Sequence, residues 1–151
     1  MKIKNYINGE FVNPILDNWI DNYNPSNGEI YSQIPNSSDI DLKNAFKAAK
    51  HAFPKWSEST LEKRSQILSN IAHLITKKLP ELAAAEAKDN GKPLELAKSI
   101  DIPRAAANFQ FFANAITQFA SETHDSVGLN AINFTLRQPI GVVGCISPWN
   151  L

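Results

Sequence analysis

The spacing of apolar residues changes period along the chain, and each change predicts a different kind of element. Over the first 35 residues the apolar runs are short and broken by turn residues. Tyr6-Ile7 and Phe11-Val12 flank Asn8-Gly9, a pair that favours a two-residue hairpin turn. Trp19–Tyr23 and Glu29–Ile34 read as two further strands on either side of Asn24-Pro25-Ser26-Asn27-Gly28, a loop with two turn signals. Together they predict a small meander, polar on one face, that leans on other parts of the protein.

From Ser38 the period becomes helical. Leu42, Ala45, Phe46, Ala49 and Phe53 share one face, and Pro54 is expected to end the run. Ser59-Thr60-Leu61-Glu62 has the form of a capping box. The helix behind it carries Leu61, Ile67, Leu68, Ile71, Leu74 and Ile75 on one stripe. A third helix starts near Pro80 and closes at Asn90-Gly91, a left-handed cap followed by Pro93. After a short turn over 94–99, Asp101 is expected to cap another helix with Pro103 in its first turn. Phe109, Phe112, Ala113, Ile116 and Phe119 form its predicted buried face and Phe111 lies on another, which predicts packing against two layers.

Residues 121–128 are polar and mark a boundary. Ile132, Phe134 and Leu136 then alternate with Asn133, Thr135 and Arg137, the pattern of a half-buried antiparallel strand. Pro139 and Gly141 interrupt it. Val142–Ile146 is apolar on both faces, as a covered parallel strand should be. Ser147-Pro148-Trp149-Asn150 would form the polar loop at its carboxyl end, where open α/β sheets bind ligands. A parallel partner needs a crossover of about a dozen residues, and none follow Leu151. The expectation is therefore the front part of a larger protein.

Composition narrows the function classes. Fifteen basic and fifteen acidic residues cancel and neither sign forms a block, which removes the electrostatic footprint of nucleic-acid or membrane-surface binding. An apolar content of 43% suits a globular chain. At 151 residues a single domain would bury roughly 68–70% of its unfolded surface. One cysteine excludes an internal disulfide. With neither a signal-peptide core nor a membrane span, a soluble cytoplasmic protein is the expectation.

Candidate chemistry is sparse. An amide N–H such as that of Asn150, at a strand end, can donate to an oxyanion. From spacing alone, however, Asn150 reads first as a turn residue after Pro148-Trp149. Cys145 lies between Gly144 and Ile146, with nothing nearby to activate a thiol, and is expected to be a buried small hydrophobe. His51, His73 and His124 stand far apart and off metal-ligand spacing. Gly141-Val-Val-Gly144 precedes its strand, so it is not a phosphate-binding turn.

Arg137-x-Pro-x-Gly-Val-x-Gly-x-Ile-x-Pro-Trp-Asn150 resembles the segment of the aldehyde dehydrogenase superfamily that enters its cofactor domain. Ile7-Asn-Gly-Glu-Phe11, Asn24-Pro-Ser-Asn-Gly-Glu29 and Asp89-Asn-Gly-Lys-Pro93 resemble that family's motifs in order and spacing. The resemblance covers essentially the whole chain and about the first third of a family chain. It implies an α/β fold: a small β meander, about five helices, an oligomerisation hairpin, and the first strand of a Rossmann-type sheet. The implied divisions are 1–121, 122–141 and 142–151.

What the resemblance implies for function is oxidation of an aldehyde with NAD, or NADP in its place, in a homodimer or homotetramer. It gives Asn150 the oxyanion role and places Ile146, Ser147, Pro148 and Trp149 against the nicotinamide. The family's cysteine nucleophile, general-base glutamate and glycine-rich cofactor turn would lie beyond Leu151, so the chain alone is expected to be inactive. Some family members hold a monovalent cation on the residue matching Asp89. Asp101-Ile-Pro-Arg104, Asn108-Phe-Gln-Phe-Phe-Ala113 and Ile146–Leu151 resemble the muconic semialdehyde dehydrogenases within the family. A betaine-aldehyde or aliphatic aldehyde dehydrogenase is the alternative among enzymes. A non-catalytic interaction or decoy module is the alternative of another class.

Overall fold

Asn8 and Gly9 both take positive φ, 55° and 84°, and turn β1 (Asn5–Ile7) back on β2 (Glu10–Val12) as an antiparallel hairpin. The structure, a computed structural model, describes residues 1–147. β3 (Trp19–Tyr23) pairs antiparallel with β4 (Ile30–Pro35). Lys2 adds a parallel bridge to Gln33 on the other edge of β4. The expected meander is thus two separate hairpins, because β2 makes no ladder with β3.

α1 (Asp39–Ser57) starts at Ser38, as the change of period predicts. Its reciprocal cap involves Asp41, whose carboxylate accepts from the backbone N–H and the hydroxyl of Ser38, both at 2.8 Å. The other carboxylate oxygen accepts from the Ile15 N–H at 3.0 Å, so one buried side chain ties the helix start to the connection before β3. Pro54 does not end the helix, which continues to Ser57. The carbonyls that follow it find donors elsewhere. Arg64 donates to the Ser57 carbonyl at 2.8 Å and the Trp56 carbonyl at 3.3 Å, and the Glu58 N–H bonds the Pro54 carbonyl at 3.2 Å.

α2 (Leu61–Lys77) is capped one residue later than expected. The Thr60 hydroxyl accepts from the Lys63 N–H at 3.2 Å, which puts Glu62 too early in the helix to reciprocate. α3 (Leu79–Asn90) ends as predicted on Gly91 with φ +78°. A Cβ on Gly91 would lie 2.8 Å from Pro25 Cγ, so the cap requires glycine both for its φ and for the closeness of the 24–28 loop.

The turn expected over 94–99 is helical. α4 (Leu94–Leu96), a π-helical turn over Ala97–Asp101 and α5 (Ile102–Ala115) run on without a break. Asp101 has helical angles and is not a cap. Pro103 explains the wide turn: it has no N–H to donate, and its ring crowds the carbonyl four residues back.

Ala106 and Ala113 are the buried residues of α5. Phe111 and Phe112 stay open, so the aromatic face is not the one that packs within this chain. α5 lies on α2, where Ala72 is buried and Ser69 donates to Gln110 at 3.1 Å. The polar boundary at 121–128 is half strand: β5 (Thr123–Ser126) pairs antiparallel with β6 (Ala131–Phe134).

Apart from Pro14, the buried apolar residues among those described are all alanines. The chain exposes 11815 Å², against roughly 7,600 Å² for a compact monomer of 16.7 kDa. Residues 1–147 therefore do not close over a core of their own, in keeping with the front part of a larger protein.

The three donors around Asp41, the Ser38 N–H foremost, hold its carboxyl below the usual carboxylate range. A depressed folded value means that this contribution is fully present above the unfolded value of about 3.9 and is lost as pH falls through the folded one. Thermal melts against pH should show that acid limb. Asp41→Asn should lower Tm at neutral pH and flatten the limb.

Candidate functional site

The expected parallel strand over Val142–Ile146 does not form among the described residues. A strand of that kind is defined by its neighbours, and none of the strands in this chain lies beside it. Val143 and Ile146 are exposed, Ile146 at 93%. Cys145 is exposed as well, not buried as its apolar neighbours predicted, because no sheet covers either side of the segment. Ser147 is the last described residue and is also exposed. Pro148, Trp149 and Asn150 lie outside the described residues.

The segment is tethered at its upstream end. The Thr135 N–H donates to the Glu122 carbonyl at 3.0 Å, one step beyond the last β5–β6 pair. The Arg137 guanidinium sits 4.6 Å from the centroid of the Phe119 ring, just past α5, a stacking contact worth about 0.5–1 kcal/mol at an exposed position. From Gln138 to Ser147 the backbone makes no hydrogen bond among the described residues.

Two of the sequence motifs, far apart in the chain, meet elsewhere. Asn22 Nδ2 donates to Asp89 Oδ1 at 2.9 Å and approaches Tyr31 Oη at 3.0 Å and Ser32 Oγ at 3.2 Å. The Tyr31 hydroxyl donates to the same Asp89 oxygen. That bond first, then the Asn22 amide, keeps the Asp89 carboxyl below its ordinary range. The same bond and burial raise the Tyr31 hydroxyl above its ordinary value.

Next to this cluster, Lys92 of the Asp89–Pro93 motif pairs with Asp101 in the π turn and lies 3.6 Å from Glu86. The Asp101 side chain is 8% exposed. Asp101, singled out as a cap, is instead the buried half of an ion pair that raises the Lys92 pKa. Tyr31 and Asn22 escaped notice because alternation in β3 and β4 marks which face is polar, not which partner that face meets. His51, His73 and His124 are exposed. Among the described residues no group of acidic, histidine or cysteine side chains is placed to hold a metal ion. No helix there is long and apolar enough to cross a membrane.

Comparison with known proteins extends through the site segment. The sequence profile described as "Aldehyde dehydrogenase family" matches residues 11–151. Human 2-aminomuconic semialdehyde dehydrogenase is 43% identical over 151 residues, covering 100% of this chain and 31% of the human one. The 2-hydroxymuconic semialdehyde dehydrogenase of Pseudomonas sp. (strain CF600) is 38% identical, over 99% of this chain and 32% of its own. Among solved structures, the NAD+ complex of an aldehyde dehydrogenase from Bacillus cereus superposes with a TM-score of 0.78 at 34% identity, covering 82% of this chain and 26% of that one. The chain spans about a third of the length of the curated relatives it matches. The α/β class expected from the sequence is the one its structural neighbours have.

Because Cys145 is exposed, a colourimetric thiol reagent should modify it stoichiometrically in the native chain, at a rate close to that in denaturant. Strong native-state protection would show that the segment is covered in solution.

Proposed function

This chain belongs to the aldehyde dehydrogenase family, and from that premise we propose that it supplies the oxyanion donor and the nicotinamide-facing loop of an NAD-dependent aldehyde dehydrogenase. The observation that carries this reading is the unbroken family match from residue 11 through Asn150. Asn150 donates its side-chain N–H to the substrate oxygen as a thiolate adds to the aldehyde carbon and negative charge develops there. A donor fixed in place before the reaction lowers the barrier because it meets the transition state more strongly than the neutral carbonyl. Ile146, Ser147, Pro148 and Trp149 hold the nicotinamide side of the cofactor, largely through backbone atoms. The free backbone groups and exposed side chains of Ile146 and Ser147 suit that task. NAD, when bound, accepts the hydride that leaves the aldehyde carbon, and NADP could serve in its place.

The thiolate and the base that activates the hydrolytic water are not assigned to any residue of this chain. Cys145 is given no role. Within the whole protein, residues 1–121 are the meander and helical part, 122–141 the oligomerisation hairpin, and 142–151 the entry to the Rossmann-type sheet. The open apolar face of Ile132, Phe134 and Leu136 supports pairing of that hairpin with a second subunit, in a homodimer or homotetramer. The same face favours the second reading, an interaction module that pairs with a complete subunit. The muconic names of the relatives support a semialdehyde of that class as substrate, and a cytoplasmic location of the whole enzyme is part of the proposal.

Steady-state kinetics on the whole protein carrying this chain test the assignment. With aldehyde saturating, Asn150→Ala should lower turnover by about 10²-fold or more and leave NAD affinity nearly unchanged. Trp149→Ala should chiefly raise the apparent constant for NAD. Near-normal turnover in Asn150→Ala would return that residue to a turn role. The purified 151-residue chain should form no NADH from any aldehyde, and NADH formation retained in its Cys145→Ser variant would overturn the need for a further nucleophile.

A further inference from the structure

Three oxygens converge on one nitrogen where β3 and β4 meet the last turn of α3. Asn22 Nδ2 lies 2.9 Å from Asp89 Oδ1, 3.0 Å from Tyr31 Oη and 3.2 Å from Ser32 Oγ. A side-chain amide has two hydrogens, so one more acceptor surrounds it than it can fully serve. The Tyr31 proton is already given to Asp89, which leaves the phenolic oxygen turned to Asn22 as an acceptor. Ser32 is only 1% exposed, so its oxygen is held in place by packing. Carboxylate and hydroxyl oxygens gathered about one point are the donors that hard cations take.

Some family members hold a monovalent cation on the residue matching Asp89, and the residues present do not fit one at this shell. Its centre is filled by Asn22 Nδ2, and Asp89 Oδ1 already accepts two hydrogen bonds. The Lys88 ammonium, 4.7 Å from the centroid of the Tyr31 ring, adds further positive charge beside it. We propose that the Asn22 amide stands in for a bound cation at this junction, so that β3 and β4 are tied to α3 without sodium or potassium. The proposal concerns the junction alone and does not rest on the proposed activity. A neutral donor on the chain gives the three oxygens a permanent partner, whereas an exchangeable ion would stabilise the fold only in proportion to its concentration.

Two measurements on this chain test it. Thermal melts in sodium, potassium and choline chloride at equal ionic strength should give one Tm. Sodium NMR relaxation in the presence of the chain should match that with the Asp89→Asn variant. Asn22→Ser removes the NH₂ group and leaves an oxygen; its Tm should be lower in choline and rise saturably with sodium or potassium. The idea is overturned if the unaltered chain gains Tm saturably with either ion, or if it speeds sodium relaxation in a way that Asp89→Asn abolishes. An Asn22→Ser variant that folds and is as indifferent to the ions as the parent overturns it too. Should that variant fail to fold in every salt, the parent's melts and sodium relaxation decide the matter.

Discussion

Close approach of helices through alanine is the constraint on which the rest of this chain depends. Ala72 on α2 and Ala106 and Ala113 on α5 are buried where the two helices meet, and Ala83 and Ala97 are fully buried where α3 meets the π turn. A methyl group lets two backbones come near, and it loses no rotamer freedom on burial. It also buries little area, so the apolar stabilisation per contact is small. The larger side chains Phe111 and Phe112 on α5 and Leu42 and Phe46 on α1 remain open.

With so small an apolar core, polar links carry the attachment of the strands. Asp41 joins the start of α1 to the connection before β3. Asn22, Tyr31 and Asp89 join the β3–β4 hairpin to α3, and Pro25 packs on Gly91 beside them. Lys92 and the nearly buried Asp101 join the end of α3 to the π turn. Removing one partner of such a pair leaves the other desolvated and unpaired, and that costs more than the pair itself contributes. Pro25 and Gly91 bring two loops of family motif residues against each other.

That segment illustrates the opposite case. Residues 142–147 carry the most specific motif in the chain and the least structure. A parallel strand takes its order from neighbours on both edges and both faces, and residues 1–141 offer it none. Among the described residues its ties are upstream, through Thr135 and the stacking of Arg137 on Phe119.

What the sequence determined is local. Asn8-Gly9 set the first turn because both residues tolerate positive φ, and Gly91 closed α3 for the same reason. The helical stretches from Ser38 to Asn90 followed from period and capping residues. The family followed from motifs whose order and spacing survive in the bare sequence. Tertiary structure decided what depends on partners distant in the chain. Pro54 did not stop α1, and Arg64, from the next helix, satisfies the Trp56 and Ser57 carbonyls where the helix does end. Asp101 became half of an ion pair, not a cap, because Lys92 reached it across the bend. The aromatic face of α5 and the apolar run at 142–146 were correctly read as apolar, but apolarity states only that a residue is better buried. Whether anything arrives to bury it is a property of the packed whole, and the described residues leave those faces open.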